Sequence, residues 1–175
     1  MIFCKRGVWE MAAAVRVAVL GRVQDPYRRS LNHWLGGQPG LTLWPCVGRD
    51  GLMPQIVAAS PQITGAVDIT LTAETVFLFG SDCLPAARAA AQNRCQPLEY
   101  GFSRRDTLTL SSLDDRQAVV ALQRPLRRLD GSWLEPQEWV LQLTTPARPE
   151  LLLSQAAILL TAGLPLPQHG EKFLL

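Results

Sequence analysis

Two short loops contain residue types that could hold a small anion. The first contains Gly21 and Arg22, and the second contains Gly80, Ser81 and Asp82. A glycine allows a ligand to approach the backbone closely, an arginine supplies a positive charge, and a serine supplies a neutral hydrogen-bond donor. The Asp82 carboxylate would repel an anion unless it caps the following helix. These residue types predict a site for a carboxylate or phosphate rather than for a metal ion.

The segments around the loops predict how such a site would be assembled. Each loop follows an apolar run typical of a buried strand and leads into a segment with a proline near its start, Pro26 or Pro85. Loops that leave the carboxyl ends of neighbouring parallel strands splay to opposite faces of a sheet and leave a crevice. Unpaired N–H groups at helix N-termini attract anions. We therefore expect both loops to face one crevice.

Hydrophobic patterning and turn residues predict the surrounding elements. The predicted strands are 15–21, 41–44, 66–71, 75–79, 95–100, 107–113, 117–122 and 139–143, and the predicted helices are 26–35, 52–59, 84–92 and 149–161. Strands and helices alternate in the first part and strands follow one another in the second. The pattern favours an α/β fold: a mainly parallel sheet with flanking helices, in a Rossmann-like three-layer arrangement, plus a small antiparallel three-stranded sheet near the C-terminus.

The length of 175 residues suits one domain with a proper core. We assign residues 11–164 to this domain, residues 1–10 to a leader that adds nothing to the fold, and residues 165–175 to an extended tail. Met11 directly precedes the first clean strand and is an alternative start. The apolar runs are far shorter than a membrane span and no secretory signal is visible, so we expect a cytoplasmic protein without a membrane partner.

Charge and cysteine usage exclude several function classes. The net charge is only +2, and the arginines occur in pairs rather than in a basic stripe, so we expect no nucleic-acid partner. Four cysteines without C-x-x-C spacing and two histidines do not suit a structural zinc site. We expect reduced, mostly buried thiols and no metal.

From Thr75 onward, the order of features is similar to the second half of the Mur ligase central domain. The resemblance rests on an apolar run ending in Gly80-Ser81-Asp82, a Tyr100-Gly101 step, three consecutive strands and an alanine-rich helix at 151–160. It implies descent from an ATP-dependent ligase. The phosphate loop, the Gly-x-His-Asn stretch and the modified lysine of that family have no counterpart here, so the resemblance implies a degenerate copy that has lost this chemistry.

The remaining candidates for chemistry are incomplete. The loop after the first strand has a single glycine and no G-x-G-x-x-G, so a dinucleotide cofactor is not expected. Cys83 has no histidine near it in sequence to act as a base, and Asp114-Asp115 lies where a turn is expected. We therefore expect no cofactor and a non-catalytic domain that binds a small anionic ligand or a protein partner. The alternatives are an enzyme of unrecognised class with its site at the carboxyl strand ends, and a structural or interaction protein.

Overall fold

The computed structural model describes residues 14–46 and 51–167 and the backbone of strand Lys172–Phe173. The leader predicted at residues 1–10 lies outside these residues. In chain order the described elements are β1 (Val15–Leu20), α1 (Pro26–Gly36), β2 (Leu41–Leu43), β3 (Ile56–Ala59), β4 (Val76–Gly80), α2 (Leu84–Gln92), β5 (Gln96–Gly101), β6 (Leu108–Leu113), β7 (Gln117–Leu122), β8 (Leu126–Arg127), β9 (Trp133–Leu134), β10 (Gln137–Leu143), α3 (Pro149–Ala162) and β11 (Lys172–Phe173).

Nine of these strands form one mixed sheet in the order β11-β10-β7-β6-β5-β4-β3-β1-β2. Every pair from β2 across to β6 is parallel, whereas β7 is antiparallel to both β6 and β10. The short β11 runs parallel to β10. The predicted α/β class with a mainly parallel sheet is therefore confirmed.

The central strands are apolar throughout because both of their faces are covered. In β4 all five residues are buried, and their side chains alternate between two separate clusters. Val76 and Leu78 pack in the cluster that contains the buried faces of α1 and α3, whereas Phe77 and Phe79 pack in the cluster that contains Ala86 of α2. The period-2 alternation of a strand thus puts α1 and α3 on one face and α2 on the other.

Capping residues explain where α1 begins and where α3 ends. The Asp25 side chain caps α1 by accepting a hydrogen bond from the Tyr27 N–H, as the Asp-Pro sequence predicts. Gly163 ends α3 in the left-handed conformation that glycine adopts most easily. Residues 151–161 of α3 are all buried.

None of the helices in the described part of the chain is both long and apolar enough to cross a membrane.

The helix predicted at 52–59 is wrong. Ile56–Ala59 forms β3, which lies between β1 and β4 and is fully buried. A short apolar run reads the same way for a strand covered on both faces as for a buried helix, so periodicity does not separate them. This error affects the predicted site, because β3 lies between β1 and β4, the two strands whose loops were expected to face one crevice.

The strand predicted at 66–71 is also wrong. The stretch between Ala59 and Val76 contains no regular strand or helix. It packs irregularly on the face of the sheet that α2 covers, with Leu71 buried and Ile63, Val67 and Ile69 half-buried. The Leu71 N–H donates to the Asn93 side chain (2.7 Å) instead of to a neighbouring strand.

The three late strands do not form a separate antiparallel sheet. β6 pairs with the end of β5 through Tyr100 and Gly101, so β6, β7 and β10 extend the main sheet. The separate sheet in the described residues is the two-stranded hairpin β8–β9. Its turn contains Gly131 at a φ of +85°, as the predicted Asp130-Gly131 turn requires.

Candidate functional site

The order of the sheet reverses between β1 and β3. The chain leaves β1 through α1 to reach β2 on one side, and then returns to place β3 on the other side of β1. The loop after β1 leads to the face of α1, whereas the connection after β3 covers the face of α2. Loops that leave adjacent parallel strands toward opposite faces create a crevice at the carboxyl ends.

A cavity of about 550 Å³ lies at this position. We call it the switch-point crevice, and it is lined by residues 20–22, 24–26 and 62–68. This volume is within the range of small-molecule sites. Its lining includes one cation, Arg22, and two carboxylates, Asp25 and Asp68, along with the neutral polar side chains of Gln24, Gln62 and Thr64.

The wall before α1 offers hydrogen-bond donors. Within the described residues, the peptide N–H groups of Arg22, Val23 and Gln24 donate to no protein acceptor, and the Arg22 guanidinium makes no ion pair or hydrogen bond. Arg28 donates from Nη1 to the Gly21 carbonyl (2.7 Å), which fixes the loop against the helix. The loop can therefore meet an anion without breaking an existing contact in this part of the chain.

The opposite wall is the start of the irregular connection after β3. Ser60 is fully buried and its Oγ accepts a hydrogen bond from the Gln62 N–H (3.1 Å). Ser60 also lies against Gly21, where an added Cβ would come within 3.0 Å of the serine Cβ. The two walls are thus in direct contact at their base.

A second cavity, of about 330 Å³, lies farther along the same edge of the sheet. We call it the acidic pocket, and it is lined by residues 61, 80–82, 100–103, 106 and 150. Three carboxylates line it, from Asp82, Asp106 and Glu150, and the lining contains no basic side chain. Pro61 lines the acidic pocket and the next residue, Gln62, lines the switch-point crevice, so the two cavities are neighbours.

Two glycines allow the side chains of the acidic pocket to approach one another. A Cβ on Gly101 would overlap the Asp106 carboxylate and come within 2.6 Å of the Ser81 Oγ. A Cβ on Gly80 would lie 3.1 Å from Asp82 Oδ1 and 3.6 Å from the ring of Tyr100. Asp106 is 4% exposed and holds the loop by accepting from the Ser103 N–H (2.8 Å).

Buried hydroxyls lie beneath the acidic pocket. The Tyr27 hydroxyl donates to Ser154 Oγ (2.7 Å), and the Ser154 hydroxyl donates to the Glu150 carbonyl (2.7 Å), which links α1 to α3. Burial raises the pKa of Tyr100 to about 12, although the nearby Ser154 and Tyr27 hydroxyls oppose the shift. Burial, and to a smaller extent Tyr100, raises the pKa of Tyr27 well above its usual range.

The structure brings the five predicted site residues to one edge of the sheet and divides them between two cavities. Gly21 and Arg22 line the switch-point crevice, whereas Gly80, Ser81 and Asp82 line the acidic pocket. The expectation that both loops face one crevice is wrong, because β3 separates β1 from β4. Whether any of these residues binds a ligand stays a prediction.

The capping role considered for Asp82 is not found. Cys83 is the N-cap residue of α2, and no side chain caps that helix. The Asp82 carboxylate is exposed and makes no hydrogen bond to any described residue. Cys83 itself is 4% exposed, as expected for a structural thiol, and its sulfur lies 3.8 Å from the Ser60 carbonyl oxygen.

Sequence reasoning missed the second wall of the crevice and two of the three carboxylates of the pocket. Asp106 and Glu150 are far from residues 80–82 in sequence, and no pattern in the chain links them. The Tyr100-Gly101 step was the available signal, because a glycine directly after a buried aromatic strand residue indicates a close approach.

Among the residues of 14–46 and 51–167, no three acidic, histidine or cysteine side chains are close enough to share one ion. Comparison with known proteins adds no family assignment: no protein-family model matches the chain, and no curated protein sequence is significantly similar to it.

Proposed function

We propose that this chain is a non-catalytic α/β domain that binds a small anionic ligand in the switch-point crevice. The observation that carries the proposal is the coincidence of the cavity with the reversal of strand order between β1 and β3. The order 2-1-3-4-5 of the parallel strands is one of the two common orders of doubly wound sheets, and such sheets bind ligands at this point. The helices on both faces support a Rossmann-like three-layer arrangement.

The charges of the crevice define the kind of ligand. Arg22 and the free N–H groups beside it suit one carboxylate or phosphate group. Asp25 and Asp68 oppose a ligand with several negative charges, because they line the same cavity. We therefore propose a ligand with one anionic group at Arg22 and a polar remainder that contacts Gln62 and Thr64.

A thermal-shift titration of the full chain tests this function. Inorganic phosphate, glucose 6-phosphate and glutamate are added separately to the wild type, to Arg22→Ala and to the control Arg124→Ala. Arg124 is an exposed arginine outside the cavities described above. A ligand at 100 times its Kd stabilises the folded state by about 2.7 kcal/mol, so at least one probe should raise the Tm of the wild type and the control. Arg22→Ala should lose about 1.5–3 kcal/mol of the binding energy.

Two results would overturn the proposal. One is that none of the probes raises the Tm of the wild type, and the other is that Arg22→Ala responds as strongly as Arg124→Ala. Turnover of a bound probe would instead support the alternative of an enzyme at the same strand ends.

A Mur-ligase-like origin stays a proposal, and it rests on the order of elements from β4 to α3.

One observation favours a protein partner as the second candidate. Val23 is 77% exposed in the loop that forms one wall of the crevice. Along the same edge, Leu84 at the start of α2 is 57% exposed, and Phe102 in the loop after β5 is 64% exposed. Apolar side chains exposed around a cavity are typical of a contact surface. Val23→Ser should leave the binding of a small anion unchanged, whereas it would weaken a partner that covers this edge.

A further inference from the structure

Asp25 has an unused acceptor oxygen at the base of the switch-point crevice. Its side chain is only 7% exposed and lines the crevice. Oδ1 accepts the hydrogen bond from the Tyr27 N–H (2.9 Å) that caps α1, whereas Oδ2 accepts none from the described residues. Oδ2 is not one of the fully enclosed atoms without a partner, so part of its surface is open, and that surface faces the crevice.

Glycine at position 21 leaves room around this oxygen. A Cβ on Gly21 would lie 3.0 Å from Asp25 Oδ2 and 3.0 Å from the Ser60 Cβ. Any larger residue at this position would therefore crowd the carboxylate at the point where the two walls of the crevice meet.

No cation neutralises the Asp25 carboxylate in the described part of the chain. Arg22 lines the same crevice and Arg28 donates to the Gly21 carbonyl, but neither forms an ion pair with Asp25. The N-terminus of α1 favours a negative charge, but its N–H group engages Oδ1 and not Oδ2. Because a buried charge is costly unless it is paired, the open Oδ2 indicates a ligand that supplies a positively charged donor.

A tight turn brings this oxygen close to the groups that suit an anion. The Asp25 N–H donates to the Arg22 carbonyl (3.1 Å), which closes a four-residue turn over residues 22–25. The unpaired N–H groups of Arg22, Val23 and Gln24 belong to the same turn. Donors for a carboxylate and an acceptor for a cation thus lie within one turn. An α-amino acid has the matching arrangement, because its carboxylate and its ammonium group are attached to one carbon atom.

Asp68, the other carboxylate of the crevice, does not make the same demand on a ligand. It is exposed on the opposite wall and forms no hydrogen bond or ion pair with any described residue. Water screens an exposed carboxylate, so its charge needs no partner from a ligand. Gln62 and Thr64 lie on the same wall as Asp68 and suit an uncharged polar group.

We propose that the switch-point crevice binds an α-amino acid with a small polar side chain. The inference rests on the proposed function of the crevice and names the class of its ligand. The carboxylate of the amino acid contacts Arg22 and the free N–H groups of the turn. Its ammonium group donates to Asp25 Oδ2, and its side chain extends toward Gln62 and Thr64.

Isothermal titration of the full chain with L-serine and L-glycerate tests the proposal. Glycerate has a hydroxyl group in place of the ammonium group and is otherwise the same molecule. The wild type should bind serine about tenfold more tightly than glycerate, because a hydrogen bond between two charged groups is stronger than one from a neutral hydroxyl. Asp25→Asn should remove this preference, because serine loses its ionic partner and glycerate no longer meets a negative charge.

Two further variants serve as controls. Asparagine caps a helix as well as aspartate does, so Asp25→Asn should fold normally. Asp82→Asn makes the same change of charge in an exposed residue of the other cavity, and it should keep the preference for serine. Asp68→Asn should also keep it. A general distortion of the crevice would weaken both probes together and would not by itself remove the preference.

The possible failures point to different errors. Equal affinity of the wild type for serine and glycerate would overturn this inference and leave the anion site at Arg22 intact. A preference that is lost in Asp68→Asn and kept in Asp25→Asn would overturn the role of Asp25. An absence of binding of serine, glycerate and inorganic phosphate alike would overturn the proposed function together with this inference.

Discussion

The switch-point crevice and the acidic pocket lie side by side at the carboxyl edge of the sheet, yet they differ in nearly every physical property. The crevice lies between two loops that leave for opposite faces, and it offers one arginine and free N–H groups. The acidic pocket lies on the α3 side of the sheet, and it offers three carboxylates above a buried hydroxyl. The loop beside the crevice leads into a helix capped by Asp25, whereas the loop beside the pocket leads into a helix without a side-chain cap.

The difference shows that strand order, rather than chain order, decides which loops cooperate. The loops after β1 and β4 carry similar residues and each precedes a helix, but β3 lies between their strands. The partner of the Arg22 loop is therefore the connection after β3, which contains no conspicuous motif. Ser81 and Asp82 instead face residues from β5 and α3.

Among substitutions that affect only one of the two cavities, the largest effect is expected at Gly101, which lines the acidic pocket. Gly101→Ala should destabilise the fold by about 3 kcal/mol, because the new Cβ would overlap the Asp106 carboxylate and crowd Ser81. For a protein of this size the Tm should fall by roughly 6–12 °C. The control is Gly36→Ala near the end of α1, where no atom lies within 4 Å of an added Cβ. An equal Tm for the two variants would show that the tight packing beneath the acidic pocket is not needed.

The buried tyrosine hydroxyls beneath the acidic pocket should make the stability of the fold depend on pH, because their pKa values are raised. The chain has only two tyrosines, Tyr27 and Tyr100, so tyrosinate absorbance reports on these groups alone. A pKa of about 12 for Tyr100, against 10.0 in an open chain, means that the folded state holds the proton more tightly. The difference in the pKa of Tyr100 between the unfolded and folded states corresponds to about 2.7 kcal/mol of unfolding free energy. This contribution is fully present below pH 10 and is lost as the pH rises from 10 to 12.

Two measurements check this expectation. At pH 10 the folded protein should show almost no tyrosinate, whereas the protein in denaturant should be about half ionised. Tyr100→Phe should lose less unfolding free energy than the wild type between pH 10 and 12. Half-ionisation of the folded protein near pH 10 would mean that water reaches the floor of the acidic pocket.

Much of the fold could be predicted from local signals, and the errors have a physical cause. The Asp25 cap, the apolar face of α1, the run in β4 and the stop at Gly163 are all encoded within a few residues. The nature of residues 52–59 and 66–71 is not. Burial of Ile56–Ala59 on both faces removes the alternation that identifies a strand, whereas Val67, Ile69 and Leu71 alternate as in a strand but pack irregularly on the face of the sheet that α2 covers. Both outcomes depend on parts of the chain that are distant in sequence. The site was half predicted for the same reason. The loops were found from local glycines and prolines, but their neighbours depend on the position of β3 in the sheet.

The smallest expected effect concerns Asp25, which has two roles in the crevice. It caps α1 through the Tyr27 N–H (2.9 Å), and its negative charge opposes an anion at Arg22. Asparagine caps a helix as well as aspartate does, whereas alanine does not. Asp25→Asn should therefore keep the stability of the wild type, and Asp25→Ala should lose about 1 kcal/mol in denaturant unfolding.

Both Asp25 variants should bind an anion without an ammonium group more tightly, because each removes the same negative charge from the crevice. Asp82→Ala is the matched control in the neighbouring loop. It should change stability by less than about 0.5 kcal/mol, because Asp82 is exposed and caps no helix. It should also leave anion affinity nearly unchanged, because Asp82 lines the other cavity. If Asp82→Ala raised anion affinity as much as Asp25→Asn, the two cavities would act as one electrostatic site, and the division between them would not hold.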